Sequence, residues 1–159
     1  TTRIGGGPMP TELKDECGHL IRERGREYGT TTGRPRRCGW FDAVAGRYSV
    51  RVNGFTDICI TLLDVLDTFP TIKVCTAYRL GGKLIERFPS SATVLERCEP
   101  VYEELPGWEA CLNDIRTFED LPKQARAYLK RLEDLLGCRI SIVSVGPDRP
   151  QMITIRDVM

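Results

Sequence analysis

The stretch from Pro122 to Val145 constrains the fold most, because it joins a helical apolar pattern to a strand pattern across one glycine. Proline in the first turn, an apolar face and Gly137 at the end predict a helix over Pro122–Leu136. The segment Arg139–Val145 predicts a strand directly after it. A helix followed at once by a strand is typical of the α/β class. The apolar face of the helix is expected to contain Leu121, Ala125, Leu129, Leu132 and Leu136.

A second strand is predicted earlier in the chain, where Ile58–Leu63 is almost entirely apolar. Such a run is typical of a buried strand in a parallel sheet, and this one ends in Asp64. Ligands of open α/β sheets lie beyond the carboxyl ends of strands, so Asp64 is a candidate ligand residue. The segments Ile72–Leu80 and Lys83–Phe88 flank Gly81-Gly82, which predicts a hairpin. The expected fold is therefore α/β, with a mostly parallel sheet and an added antiparallel hairpin region.

The remaining elements have weaker signals. Apolar spacing from Thr11 to Arg24 predicts a helix that is interrupted at Gly18 and ends at Gly25. Asp42 is expected to cap a second helix that stops at Asn53-Gly54. The inner face of that helix should carry Val44, Ala45, Tyr48 and Val52, and extended segments are expected at Glu99–Leu105 and Met152–Ile155.

Length and charge limit the possible functions. The chain has 159 residues, 41% of them apolar, which suits one domain with a core of normal size. The formal net charge is +1, so the overall balance does not favour bulk binding to nucleic acid or to acidic membranes. No apolar run approaches the ~20 residues that cross a bilayer, and no signal-peptide pattern is present, so the cytoplasm is the expected location. Because Thr1 is not a methionine, the chain is expected to start within a longer protein.

Cysteine chemistry offers no obvious metal site. Seven cysteines and one histidine occur, and no two cysteines form a C-x-x-C pair, so a zinc set is not expected. The cysteines are predicted to be reduced thiols. Cys59 and Cys75 lie in apolar runs, where a free cysteine acts as a small hydrophobic residue.

The richest candidate site is the stretch Gly29–Asp42, which we call the basic loop. It combines three hydroxyls and several glycines with guanidinium groups whose planar shape matches carboxylate or phosphate oxygens. Gly33 would let backbone N–H groups approach a ligand closely. The stretch therefore predicts an anion site, and its polar candidates are Thr30, Thr31, Thr32, Arg34, Arg36 and Arg37.

Two plainer interpretations of the basic loop stay open at this point. It could be a solvated basic turn, or the segment Arg22–Arg37 could be a nucleic-acid-binding module whose affinity falls steeply with salt. A structural interaction domain without any ligand is a third possibility.

Asp64 and the turn after the last long strand are candidates for base recognition. One carboxylate can accept hydrogen bonds from both the ring N–H and the exocyclic amine of guanine, whereas adenine lacks this donor pair. Thr61-Leu62-Leu63-Asp64 resembles the base-recognition segment of GTP-binding proteins. The plainer role of Asp64 is a helix cap, and that of Ser144–Pro147 is a turn that ends a strand; its backbone N–H groups could also contact a base.

Together these segments resemble the C-terminal part of the adenylosuccinate synthetase family. The matching stretches follow the order of the family and span nearly the whole chain. They are Gly5–Leu13, Glu27–Asp42, Thr61–Asp67, Tyr102–Trp108 and Ser144–Arg149. The resemblance implies that residues 1–159 form the C-terminal portion of one domain with a P-loop-like nucleotide-binding fold, and that the N-terminal phosphate-loop portion is absent.

The resemblance also implies an activity and the residues that serve it. The family ligates IMP and L-aspartate into adenylosuccinate at the expense of GTP, and its members need Mg²⁺. The expected aspartate and IMP site is Thr30, Thr31, Thr32, Gly33, Arg34, Pro35 and Arg36. The expected GTP site is Arg36, Leu62, Leu63, Asp64, Ser144, Val145 and Gly146.

Some features of the family are changed or lacking here. Leu62 stands where lysine is common, and Pro35 stands where a basic residue is frequent. The family's phosphate loop, its catalytic aspartate, which also binds Mg²⁺, and its catalytic histidine have no match in this chain. No catalytic or metal-binding residue is therefore expected here, and the isolated chain should be inactive. A homodimer is implied, with no nucleic-acid or membrane partner.

Overall fold

A computed structural model describes residues 1–157 of the chain. These residues divide into two compact units. The first contains Thr1–Tyr48 and Lys73–Glu104, and the second contains Ser49–Ile72 and the chain from Leu105 onward. The last two residues of the predicted domain lie outside the described residues.

Helices and short strands alternate along the described chain, with two 3-10 turns at Leu63–Leu66 and Arg149–Gln151. The helices are α1 (Glu16–Gly25), α2 (Ala43–Asn53), α3 (Ala92–Glu96) and α4 (Lys123–Leu136). The strands are β1 (Thr2–Arg3), β2 (Arg37–Cys38), β3 (Phe41–Asp42), β4 (Asp57–Ile60), β5 (Thr71–Leu80), β6 (Lys83–Ile85), β7 (Glu99–Pro106), β8 (Arg139–Ser144) and β9 (Met152–Thr154).

The strands form three small sheets rather than one large parallel sheet. β1 pairs antiparallel with β2. In the second sheet β5 pairs parallel with β3 and antiparallel with β6, and it also pairs with β7. In the third sheet β8 pairs parallel with β4 and antiparallel with β9. The α/β class and the expected antiparallel hairpin β5–β6 are confirmed, and parallel and antiparallel pairs are mixed among the described residues, since β9 also folds back beside β8.

The helix α4 confirms the strongest sequence pattern. All five residues predicted for its apolar face are buried, and Gly137 ends it with φ at 62°, a backbone conformation that glycine adopts readily. The face packs in the second unit, whose core also contains Ile140, Val143 and Ile153. The strand predicted at Arg139–Val145 is found one residue shorter, as β8.

The helix α1 differs from its prediction at Gly18. The helix begins after Asp15, whose side chain accepts a hydrogen bond from the Gly18 N–H, and it continues through Gly18 without interruption. A Cβ atom at this position would lie 2.2 Å from the backbone oxygen of Leu13. Glycine is therefore required by a close approach of the backbone and does not mark a break in the helix.

The strand β4 is shorter and more exposed than the sequence predicts. It ends at Ile60, is half-buried and lies at the edge of its sheet among the described residues, and the Cys59 side chain is exposed instead of packed. Leu62 then adopts a left-handed conformation with φ at 55° and ψ at 49°. Asp64 consequently lies inside a 3-10 turn four residues beyond the strand, and the prediction that the strand ends in Asp64 is wrong.

The central part of the chain follows its predictions closely. Gly81 and Gly82 form the turn between β5 and β6, both with positive φ, so the hairpin is confirmed. The helix α2 ends at Asn53 as predicted, but Val52 is 60% exposed and does not belong to its inner face. The first unit instead builds its core around Val44, Cys75, Tyr78, Leu95 and Cys98.

Two further sequence expectations concern the cysteines and the membrane. All seven cysteines are free thiols, and Cys75 is buried as expected. None of the helices found between residues 1 and 157 is both long enough and apolar enough to span a bilayer.

Candidate functional site

The first half of the basic loop is a hairpin closed by backbone hydrogen bonds. The Arg36 N–H donates to the Glu27 oxygen at 2.9 Å, and the Gly29 N–H donates to the Arg34 oxygen at 2.9 Å. Inside these bonds the Gly33 N–H donates to the Gly29 oxygen at 2.7 Å, with Gly33 at a φ of 64°. The loop therefore has a defined shape before any ligand arrives, which lowers the entropy cost of binding.

The tip of this hairpin is available to solvent. Every residue from Thr30 to Pro35 is exposed. Within the tip, one side chain forms a hydrogen bond: the Thr32 hydroxyl oxygen accepts the backbone N–H of Arg34 at 3.3 Å. The hydroxyls and the Arg34 guanidinium thus lie together on one exposed turn, as an anion site requires.

Arg36 has a different environment at the base of the hairpin. Its Nη1 lies 2.8 Å from Oε2 of Glu27, and its side chain is 29% exposed. Its Nε is buried and has no hydrogen-bond partner. A buried unpaired donor costs about 1–3 kcal/mol, so this N–H is suited to an acceptor supplied by a ligand.

Arg37 is held by the protein itself, which corrects its prediction as an anion ligand. Its Nε and Nη2 donate to the two carboxylate oxygens of Glu12 at 2.9 and 2.7 Å, and its Nη1 donates to the Gly7 oxygen at 2.6 Å. These bonds lower the pKa of Glu12 below its ordinary value. Arg37 therefore joins the Gly-rich N-terminal segment to β2.

The predicted cap at the far end of the basic loop is confirmed. One carboxylate oxygen of Asp42 accepts the N–H groups of Val44 and Ala45 at 3.0 Å each. The other accepts the hydroxyl of the fully buried Tyr78 at 2.5 Å. Burial raises the pKa of Asp42, although these hydrogen bonds oppose the shift, and it raises the pKa of Tyr78 as well. Both carboxylate oxygens of Asp42 accept hydrogen bonds from the surrounding fold, so Asp42 fixes the end of the basic loop to the sheet.

Asp64 is the second residue with an unpaired buried atom. Its Oδ1 is buried and lacks a hydrogen-bond partner. Burial raises its pKa, and the nearby charge of Asp67 adds to the shift. Among the described residues only Asp64 and Arg36 carry a buried side-chain nitrogen or oxygen without a partner. For both residues the family resemblance implies nucleotide binding.

The 3-10 turn around Asp64 is anchored on both sides. Before it, the Leu62 N–H donates to the Ser144 hydroxyl at 2.7 Å, which joins two predicted site segments. After it, Asp67 accepts the Trp108 indole N–H and the Leu112 N–H, each at 2.9 Å. The carboxylate of Asp64 is therefore carried by a turn that is hydrogen-bonded at both ends.

The turn that follows Ser144 is closed by Gln151. The Val145 N–H donates to the Gln151 oxygen at 2.9 Å, and the Gln151 side chain lies against Gly146, where a Cβ atom would be 2.1 Å from its Oε1. The Gln151 amide also donates to the Asn113 oxygen at 3.2 Å. Ser144, Val145 and Gly146 are all buried.

The predicted site residues fall into two groups. Thr30 to Arg36 belong to the first unit, whereas Leu62–Asp64 and Ser144–Gly146 belong to the second and are joined by hydrogen bonding. Sequence reasoning missed Glu27 and Asp67 as supporting residues. Their only signal was position, since each carboxylate stands a few residues from a predicted ligand residue.

No group of three or more histidine, cysteine, aspartate or glutamate side chains is placed to hold a metal ion in residues 1–157. Nucleic-acid binding by the segment Arg22–Arg37 would need several arginine side chains that are free to contact phosphates. Instead Arg36 and Arg37 are paired with carboxylates, and Arg22 Nε donates to the Arg36 oxygen at 2.8 Å.

Comparison with known proteins gives one consistent family. The adenylosuccinate synthetase family model matches residues 1–153. The adenylosuccinate synthetase of Caldanaerobacter subterraneus subsp. tengcongensis is 57% identical over 157 residues, which cover 99% of this chain and 37% of that protein. That of Heliobacterium modesticaldum is 60% identical over 153 residues, which cover 96% of this chain and 36% of that protein.

A solved structure agrees with these relatives. The fully ligated adenylosuccinate synthetase from Plasmodium falciparum matches with a TM-score of 0.93 and 39% identity, over 98% of this chain and 38% of that one. The present chain thus spans between 36% and 38% of the length of these three relatives.

Proposed function

This chain belongs to the adenylosuccinate synthetase family, and on that premise we propose that it forms part of a GTP-dependent ligase. The whole enzyme transfers the γ-phosphate of GTP to the 6-oxygen of IMP. The amine of L-aspartate then displaces that phosphate and forms the new C–N bond. The products are adenylosuccinate, GDP and phosphate, and the reaction belongs to purine biosynthesis.

In this proposal the exposed tip of the basic loop binds aspartate. Arg34 and Thr32 contact its carboxylates, and Thr30, Thr31 and Gly33 complete the turn around them. A guanidinium fork matches a carboxylate geometrically, and a preformed hairpin holds it in place. Pro35, which lies opposite Tyr28 in the hairpin, stiffens the turn without adding charge. Arg36 directs its unpaired Nε toward the nucleotides.

The second unit binds the guanine base of GTP. Asp64 accepts the ring N–H and the exocyclic amine, which gives its unpaired oxygen a partner and favours guanine over adenine. Leu62 supplies an apolar surface at a position where lysine is common in the family. Leu63 belongs to the same turn and is buried in the core. The backbone of Ser144, Val145 and Gly146 forms the neighbouring edge of the base site.

One observation carries the assignment of these roles: the two unpaired buried polar atoms lie on Arg36 and Asp64. One is a donor with positive charge and the other is an acceptor with negative charge. Phosphate or carbonyl oxygens suit the donor on Arg36, and, independently, guanine N–H groups suit the acceptor on Asp64. Neither atom is used by the fold.

Several properties of the whole enzyme follow from the family rather than from these residues. We propose a P-loop-like nucleotide-binding domain to which residues 1–159 contribute the C-terminal portion, a Mg²⁺ ion bound by other segments, a homodimer and a cytoplasmic location. Magnesium would neutralise phosphate charge when bound. A protein consisting of residues 1–159 alone is expected to show no turnover of GTP, IMP and aspartate.

The test of the aspartate assignment is Arg34→Leu in the full-length enzyme, with steady-state kinetics for each substrate. Loss of a charge-assisted pair of about 1.5–3 kcal/mol predicts a KM for aspartate raised by roughly ten- to a hundred-fold. The KM for GTP should change little. Arg87→Leu is the matched control, because Arg87 is another exposed arginine of the first unit. An unchanged KM for aspartate in Arg34→Leu would eliminate the proposed role.

A further inference from the structure

Ser144 differs from the residues around it because its hydroxyl contacts the backbone of a distant segment. It is the last residue of β8, is 7% exposed, and accepts the N–H of Leu62 at 2.7 Å. The parallel pairing of β4 with β8 ends at Ile60 and Val143. The bond between Leu62 and Ser144 forms just beyond these last paired residues. The hydroxyl thus continues the strand pairing by one side-chain contact.

The residue that receives this support has an unfavourable backbone conformation. Leu62 has φ at 55° and ψ at 49°, a left-handed geometry that costs a residue with a side chain about 1–2 kcal/mol. Such a conformation persists only where neighbouring interactions hold it. Besides the Ser144 bond, the Leu62 oxygen accepts the Val65 N–H at 3.3 Å, which starts the 3-10 turn.

The direction of the Asp64 side chain depends on this conformation. Leu62 turns the chain away from the line of β4, so that Leu63 is buried at 1% exposure and Asp64 follows in the turn. If Leu62 relaxed into an extended conformation, the residues after it would change direction, and the unpaired Oδ1 of Asp64 would lose its fixed position. Within residues 1–157, Ser144 is the only residue whose side chain accepts the Leu62 N–H.

We propose that Ser144 is a positioning residue for base selection, because its hydroxyl holds the left-handed backbone of Leu62 and thereby directs the Asp64 carboxylate at the guanine amine. This rests on the proposed function of Asp64. The hydroxyl contacts the turn and not the base. Its removal should therefore lower the preference for guanine more than it lowers the overall activity of the enzyme.

A matched control exists on the same strand. The hydroxyl of Ser141, which is fully buried, donates to Asp57 at the beginning of β4. Ser141 and Ser144 therefore both connect β8 to the β4 segment through one hydroxyl, but only Ser144 lies beside the Asp64 turn. A purely structural role for these hydroxyls predicts similar effects for both.

The experiment compares Ser144→Ala, Ser141→Ala and Asp64→Ala in the full-length enzyme with GTP and with inosine triphosphate, which lacks the exocyclic amine. For Ser144→Ala we expect the kcat/KM preference for GTP over inosine triphosphate to fall about five- to ten-fold, the size of one ordinary hydrogen bond. The KM values for aspartate and IMP should stay unchanged. Ser141→Ala should lower the melting temperature and keep the preference of the wild type.

Each result has a defined meaning. If Ser144→Ala keeps the wild-type preference while Asp64→Ala loses it, the positioning role is wrong and the function of Asp64 stands. If Asp64→Ala also keeps the preference, the guanine assignment itself is wrong, and the inference falls with it. Should Ser144→Ala not fold, Ser144→Cys replaces it, since its thiol has a similar volume but is a weak acceptor. It is expected to show the same loss of preference, and a wild-type preference would overturn the proposal.

Discussion

At the scale of single residues, neighbouring arginines of the basic loop have distinct tasks that their sequence does not distinguish. Arg34 is exposed on the hairpin tip, Arg36 is paired with Glu27 but keeps an unpaired Nε, and Arg37 uses all three of its guanidinium nitrogens to bind Glu12 and Gly7. Arg34 and Arg36 are therefore the two that are less completely occupied by partners from the chain. The mutual repulsion of these cations is therefore relieved partly by carboxylates of the chain itself.

The Glu12–Arg37 pair predicts a pH-dependent contribution to stability. The pKa of Glu12 is lowered in the folded protein, so its stabilisation is present above the unfolded pKa and disappears as the pH falls through the folded pKa. We expect Glu12→Gln to lower the free energy of unfolding by about 1 kcal/mol at pH 7. The difference from the wild type should shrink as the pH falls below about 4.5, the ordinary pKa of the group.

Urea denaturation followed by tryptophan fluorescence at pH 7 and at several lower values measures this difference. Glu104→Gln is the control, because the Lys73–Glu104 pair has side chains that are 39% and 61% exposed. A solvated pair of this kind should contribute less than about 0.5 kcal/mol. Equal losses in the two variants at pH 7, or a Glu12→Gln difference that is constant with pH, would contradict the assignment.

At the scale of elements, replacing Gly18 in α1 by alanine is expected to lower stability, although glycine to alanine in a helix usually raises it. Glycine to alanine in a helix normally stabilises by about 1 kcal/mol. Here the new Cβ would lie 2.2 Å from the Leu13 oxygen, and Leu13 is itself tied to the Cys38 oxygen through its N–H at 2.9 Å. We therefore expect Gly18→Ala to destabilise the protein by about 1–3 kcal/mol, as overpacking does.

Thermal and urea unfolding measure this effect. The control is His19→Ala, an exposed position one residue further along the same helix, which should change stability by less than about 0.5 kcal/mol. A Gly18→Ala protein as stable as the wild type, or more stable, would show that the backbone approach does not restrict this position.

The elements also show what the sequence could and could not predict. The helix α4 and the β5–β6 hairpin were predictable because their signals are local: an apolar stripe with a terminal glycine, and a Gly81-Gly82 turn. The end of β4 was not, because the left-handed Leu62 is held by Ser144, which lies 82 residues away. Gly18 was misinterpreted for the same reason, since the contact that requires glycine comes from outside the helix.

The candidate site shows the same division. Its charged and hydroxyl residues were identifiable from composition and from the family resemblance, as with Arg34 and Asp64. The supporting contacts were not, because Glu27, Asp67 and the Ser144 hydroxyl act through hydrogen bonds that only the folded chain reveals. The unpaired state of Arg36 Nε and Asp64 Oδ1 is likewise a property of burial, which no sequence pattern specifies.

At the scale of the whole molecule, the two compact units each contain one group of the candidate site residues. The first presents the basic loop, and the second presents the Asp64 turn supported by β8. In the proposed enzyme these correspond to aspartate binding and guanine binding. The chemical step itself is expected to depend on family segments that have no match among these residues.

The central claim, that this chain selects GTP through Asp64, is tested most directly by Asp64→Asn in the full-length enzyme. An amide still accepts the ring N–H but presents a donor where the guanine amine also presents one. Xanthosine triphosphate has a carbonyl oxygen at that place, so it should fit the variant better. We predict kcat/KM for GTP at least about a hundred-fold lower, with xanthosine triphosphate becoming the better substrate. An unchanged kcat/KM for GTP, with no gain for xanthosine triphosphate, would contradict the claim.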